Sequence, residues 1–238
     1  MHKGLVCWAG PLEYRRAWAW QQALREGRRL GAIPDLLLLT EHPPTYTSGR
    51  STRPEHLSAA GTSPGCAGIE AIPIERGGSV TYHGPGQLVG YPILALRPPH
   101  QDLHWYLRRL EEVLIHTLAG WGLQGQVCPG STGVWVGQEK IAAIGIHVRH
   151  WITMHGFALN LCPDLVPFRA IQPCGLDSRM ITSMAALLLQ PPTLAQLAAQ
   201  VGRSFAEVFA GTWEEVSVGH LCDLVPLPDT VACPEQNL

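Results

Sequence analysis

The chain has 238 residues, a formal net charge of -2, and 46% hydrophobic against 15% charged residues. That length suits one domain able to bury a core unaided, and the near-neutral balance lacks the basic excess of a nucleic-acid or anionic-membrane binder. No apolar run approaches the roughly 18 residues of a membrane span, and the N-terminal MHKGLVCWAG has no secretory h-region, so a cytoplasmic protein is expected.

In chain order, Pro11 to Leu30 reads as a helix, with Pro in its first turn and Gly31 as its stop. Asp35 to Thr40 (DLLLLT) reads as a buried strand, followed by a Pro-rich loop, EHPPTYTSGR. Leu57 to Gly68 is turn-rich, Ile69 to Glu75 alternates as a strand, and Leu88 to Leu96 reads as another. Asp102 to Ala119 is an amphipathic helix with Asp102 near its start and Gly120 past its end. Three strands follow, GVWVG, KIAAIGIHV and ITMHGFALNL, the first pair joined through Gly137-Gln138-Glu139. PDLVPFRAIQPCGL is irregular, and Thr193 to Ala210 is a further helix. The order predicts an α+β fold, a mixed β-sheet core flanked by helices, and not a doubly wound parallel sheet. A single domain over residues 1–238 is expected, with 218–238 as a C-terminal appendage.

Seven cysteines lie scattered without CxxC, the pattern of reduced thiols. The chain uses fifteen Arg but only two Lys, Lys3 and Lys140. Lys140, at the start of an apolar strand after a hairpin, is either an exposed hairpin lysine or a site needing a compact amine that can lose its proton. Cys174 sits between Pro173 and Gly175, a setting for a locally exposed turn and so for a nucleophile. His147, His150 and His155 have no recognised ligand spacing, so no metal is expected.

The densest signal is RGGSVTYHGPGQ, Arg76 to Gln87. Its adjacent glycines let backbone approach a ligand closely, while Thr81, Tyr82, His83 and Gln87 supply donors and acceptors. The alternative is a glycine-rich bulge in which His83 is structural. The spacing is not that of a phosphate-binding loop, which needs GxxxxGK[ST].

With LVGYPI after it, this stretch resembles the signature of the lipoyl(octanoyl) transferases, the octanoyltransferases of lipoate biosynthesis. EHPPTYTSGR, EKIAAIG, HGFALNL and the PCGL around Cys174 follow in that family's order, covering about Leu36 to Thr182. The resemblance implies the catalytic module shared by biotin and lipoate protein ligases. It also implies a cysteine/lysine acyltransferase with an acyl-thioester intermediate on Cys174 and Lys140 as its partner. The donor would be octanoyl-acyl carrier protein. The acceptor would be a lysine on lipoyl domains of α-ketoacid dehydrogenase E2 subunits and of the glycine cleavage H protein. Acyl contacts carry over to Arg76, Gly77, Gly78, Ser79, Val80, Thr81, Tyr82 and His83, to Ala143, Ile144 and Gly145, and to Gly156, Phe157 and Ala158.

No cofactor is expected, because amide formation from a thioester runs downhill. A thiol near pKa 8.5 is mostly protonated at neutral pH, so a neighbouring Lys140 ammonium would favour the thiolate. The same amine, once neutral, can accept a proton from the attacking lysine. Arg15-Arg16, Arg28-Arg29, Arg108-Arg109, Arg50 and Arg53 are either solvated helix charges or docking cations for acidic partners. A monomer binding neither nucleic acid nor membrane is expected. The competing readings are an ATP-dependent ligase on the same fold, which would not need Cys174, a cysteine hydrolase using Cys174 and His83, and a non-enzymatic scaffold that binds acyl carrier protein without a covalent adduct.

Overall fold

In the computed structural model, residues 2–57, 66, 68–171 and 180–229 are described. The strands are β1 (His2–Pro11), β2 (Asp35–Glu41), β3 (Thr45–Ser48), β4 (Glu70–Pro73), β5 (Val80–His83), β6 (Gln87–Ile93), β7 (Gly125–Cys128), β8 (Ser131–Val136), β9 (Glu139–Arg149), β10 (Ile152–Asn160) and β11 (Gly211–Glu215). The helices are α1 (Tyr14–Leu30), α2 (Leu103–Ala119), α3 (Val166–Arg169), α4 (Met184–Leu187), α5 (Leu194–Val208) and α6 (Val218–Leu224).

An eight-stranded sheet runs β11-β1-β2-β6-β10-β9-β8-β7, and a three-stranded sheet runs β4-β3-β5. β1 lies parallel to both β11 and β2, and the remaining neighbours in the large sheet are antiparallel. The sheet is therefore mixed, and the fold is α+β.

The large sheet divides two cores. Leu37 and Leu39 of β2 join the core that includes Leu110 and Leu114 of α2 and Phe205 of α5. Leu36 and Leu38 join the opposite core with Trp20 and Leu24 of α1 and Leu221 of α6. This two-sided burial explains the unbroken apolar run DLLLLT, since a strand covered on both faces needs no polar alternation. Burying each such leucine contributes about 1.5–3 kcal/mol. Tyr46, Val80, Tyr82, Phe168 and Ile171 form a third cluster under the small sheet.

Local signals set the helix ends. Asp102 accepts the backbone N–H of His104 at 2.7 Å and of Trp105 at 3.3 Å, capping α2. Thr193 and Gln196 form a capping box on α5. Gly31 stops α1 in the left-handed conformation. Pro11, however, closes β1 by pairing with Glu41, and α1 starts only at Tyr14.

The sequence reading does not contain β1, β3, β5, β7, β11, α4 or α6. β1 pairs with Gly211–Glu215 from the far end of the described chain, a partnership that no local period announces. In the tail, Leu221 and Val225 are buried in the core beside α1. No helix among the described residues is long and apolar enough to cross a membrane.

Candidate active site

A cavity of about 440 Å³ opens between the glycine-rich stretch and strands β9 and β10. Arg76, Gly77, Gly78, Val80, Thr81 and His83 line it, as do Lys140, Ala143, Ile144, Gly145, Gly156, Phe157 and Ala158. Register explains why two separated triplets share a wall: Ala143, Ile144 and Gly145 pair across strands with Ala158, Phe157 and Gly156. The Gly77 N–H donates to Ile146 O at 2.9 Å and fastens the glycine stretch to β9. A Cβ on Gly145 would lie 3.0 Å from Arg76 Cδ and 3.1 Å from Gly77 O. Glycine relieves crowding there, where the strand approaches the Arg76 side chain and the Gly77 carbonyl.

Ser79 and Tyr82 do not line the cavity. The Ser79 hydroxyl lies 2.6 Å from His56 Nδ1, and Tyr82 packs with Tyr46 and Phe168. Arg76 shapes the stretch from inside. Its Nη1 donates to Ser79 O at 2.7 Å, and its Nη2 donates to Thr47 O at 2.7 Å and to Thr47 Oγ1 at 2.9 Å.

His83 is buried, with Nδ1 2.8 Å from Gln87 Oε1 and Nε2 3.4 Å from Thr47 Oγ1. Burial, and next the nearby His42, push its pKa down to about 3. A neutral, doubly engaged imidazole suits a wall better than a general base. From Gln87 the chain of hydrogen bonds continues: Gln87 Nε2 donates to Asn160 Oδ1 at 2.9 Å, and Asn160 Nδ2 donates to Thr182 O at 3.0 Å. The Thr182 N–H then donates to Lys140 O at 3.0 Å.

Lys140 is half-buried at the start of β9. Its Nζ donates to Thr132 O at 2.9 Å and lies 4.9 Å from the centre of the Trp135 ring. Cys174 lies outside the described residues. The chain on either side is placed: Ile171 packs in the cluster of Tyr46, Val80 and Tyr82, and Ile181 bridges to Lys140 and lines the cavity.

Several wall residues escaped the sequence reading. Tyr14 stacks on His83 at 5.6 Å, and His42 lies behind them with Nε2 2.7 Å from the Tyr91 hydroxyl. Burial, opposed by the hydrogen bond to Leu12 O, holds the His42 pKa near 4. Tyr14 stands in an ordinary amphipathic helix, which gives no hint of a ligand. Asn160 was visible inside HGFALNL but carried no spacing cue. His155 lines the cavity with its Nε2 3.6 Å from Glu75 Oε2.

Most of the arginines considered for docking are engaged within the chain. Arg15 pairs with Glu70, Arg16 with Asp229, Arg28 with Asp35, Arg29 with Glu26, Arg108 with Glu111, and Arg109 with Glu112. Arg53 lies 3.9 Å from Glu55, and Arg50 Nη2 lies 3.4 Å from His147 Nδ1.

The family model for the lipoyl protein ligase A/B catalytic domain matches residues 13–206. An octanoyltransferase of Synechococcus sp. (strain JA-3-3Ab) is 49% identical, covering 88% of each chain. An octanoyltransferase of Synechococcus elongatus is 50% identical over 84% of this chain and 85% of its own. Among solved structures, lipoate-protein ligase A bound with ATP superposes with a TM-score of 0.73 at 16% identity, covering 92% of this chain and 90% of that one. That likeness is one of fold.

Proposed function

The chain belongs to the lipoyl protein ligase A/B catalytic domain family, and we infer that it is an octanoyltransferase of lipoate biosynthesis acting on lipoyl-domain proteins. The observation that carries the mechanism is the placement of Lys140. Lys140 lines the cavity, and its backbone bridges to Ile181, where the chain returns from Cys174.

The proposed reaction runs in two steps. The Cys174 thiolate attacks the thioester carbonyl of octanoyl-acyl carrier protein, the carbon–sulfur bond to the carrier breaks, and the carrier thiol leaves with the proton given up by the Lys140 ammonium. The Lys140 ammonium favours the attacking thiolate. The amine of the acceptor lysine then attacks octanoyl-Cys174, the thiolate departs, and the neutral Lys140 amine takes the proton released by the attacking nitrogen. The acyl chain lies along the slot between the glycine stretch and the paired triplets of β9 and β10. The acceptors are lipoyl domains of α-ketoacid dehydrogenase E2 subunits and the glycine cleavage H protein. The enzyme acts as a monomer in the cytoplasm, and no nucleotide is consumed. His83, neutral and held by Gln87, supports the slot, which speaks against a hydrolase using it as base.

Intact mass after mixing with octanoyl-acyl carrier protein tests this. One octanoyl adduct should form without ATP, map to the peptide containing Cys174, and vanish in Cys174→Ala. Transfer that requires ATP and survives loss of the thiol would overturn the reading in favour of a ligase. An adduct on Cys128 or Cys162 would move the nucleophile.

A further inference from the structure

Glu111 of α2 is only 1% exposed, yet it carries a carboxylate. Oε2 pairs with Arg108 three residues earlier on the helix. Oε1 accepts the backbone N–H of Gly133 on β8 at 3.2 Å. The peptide group supplying that N–H is the one whose carbonyl belongs to Thr132, and this carbonyl accepts Lys140 Nζ at 2.9 Å. In a trans peptide the N–H and C=O point in opposite directions. A single peptide plane therefore stands between a buried carboxylate and the cavity ammonium.

The backbone at this point admits only glycine. Gly133 has φ +133, and a Cβ there would lie 2.4 Å from Ala142 O and 2.7 Å from Lys140 Cε. The residue that lets the peptide face Glu111 thus also leaves room for the lysine chain.

We propose that Glu111 is a positioning residue for Lys140, acting through the Thr132–Gly133 peptide, whose carbonyl it orients and polarises toward the ammonium. Hydrogen bonds in series strengthen one another away from water, and a charged acceptor strengthens the first of them. The consequence for catalysis rests on the role given to Lys140 above. The coupling helps the amine keep its proton while the thiolate forms, and it aims the amine at one point on the cavity wall.

Among the described residues the surrounding charges are few, with Arg76, His83 and His155 lining the same cavity as Lys140. Arg108 faces Glu111 from its own helix, and Arg109 and Glu112 pair with each other there. α5, packed on α2, contributes Glu207, which lies 3.7 Å from His116. β7 contributes Cys128, and Glu139 precedes Lys140 on β9. Thr132 and Trp135 on β8 face the Lys140 amine, Ile181 and Thr182 meet its backbone, and none of the four titrates. Cys174 joins this set under the proposed mechanism.

The two-lysine composition makes a direct test available. Protein labelled with ¹³C,¹⁵N-lysine gives side-chain signals from Lys3 and Lys140 alone, and each can be titrated by NMR. Glu111→Gln keeps an oxygen for the Gly133 N–H and removes the charge. Its Lys140 midpoint should fall by roughly one pH unit, while that of Lys3 stays in place. Arg108→Gln alters a half-exposed side chain and frees the field of Glu111, so it should move the Lys140 midpoint upward. If Glu111→Gln does not fold, as its spectrum would show, the Arg108→Gln titration decides alone. An unmoved Lys140 midpoint overturns the proposal and leaves Glu111 as a brace for β8. Lys140→Ala protein that still ran both half reactions would remove Lys140 from catalysis without touching the titration result, so the two claims fail separately.

Discussion

Lys140 Nζ lies 2.9 Å from the carbonyl oxygen of Thr132, and the Trp135 ring centre lies 4.9 Å away. The carbonyl accepts a hydrogen bond from the amine, and the ring face attracts a cation. Lys140→Arg keeps a charge but removes an amine that can act as a base. The variant should load octanoate onto the enzyme and pass it to the lipoyl domain about 100-fold more slowly, the lower range for a lost general base. Lys140→Ala should be slow in both halves, with its thiol reacting with iodoacetamide at a higher pH midpoint. Single-turnover kinetics, donor first and acceptor second, separate these cases. Useful rates for both halves in Lys140→Arg would argue that the residue serves as a charge alone.

Gly145 leaves no space beside Arg76 Cδ and Gly77 O, so Gly145→Val should narrow the acyl slot and slow loading at least about tenfold. In the unaltered protein each buried methylene contributes about 0.8 kcal/mol. Octanoyl donors should therefore outrun hexanoyl ones by about tenfold, and decanoyl donors should lose through crowding. Loading rates across the donor series check this. Palmitoyl donors reacting as fast as octanoyl would show an open-ended slot.

Asn160 joins Gln87 to Thr182 O, and the Thr182 N–H in turn holds Lys140 O. Asn160→Ala strands two buried partners and should cost about 1–3 kcal/mol. Denaturant unfolding measures that cost. Loading should slow as well, because the start of β9 and the return of the chain at Thr182 lose a shared anchor. Unchanged stability would mean that water replaces the amide.

Acid should destabilise the fold through its buried imidazoles. His42 titrates near 4 and His83 near 3 in the folded chain, against about 6.5 when unfolded. Below pH 6.5 the unfolded state binds more protons, so stability falls with pH, by up to about 2.7 kcal/mol per pH unit for the two together. Their contribution is complete above pH 6.5 and is lost progressively as pH falls toward 3–4. Unfolding free energies at pH 7, 6 and 5 should trace this slope. A flat profile over that range would mean that the two rings are not buried in the neutral form.

The sequence by itself determined what repeats over a few residues. The fully apolar run Leu36–Leu39 announced a strand covered on both faces, Asp102 and Gly31 marked helix ends, and the glycines of RGGSVTYHGPGQ marked a stretch that lines a cavity. Only the tertiary structure decided which of these features meet. It set β1 between β11 and β2, laid Tyr14 on His83, paired Ala143 with Ala158, and put Glu111 behind the Thr132–Gly133 peptide. The reason is physical. Side-chain direction along a helix or strand follows the local backbone period, so it can be read from spacing. Strand register and helix packing depend on partners dozens to hundreds of residues away, selected by how all the apolar faces are covered at once.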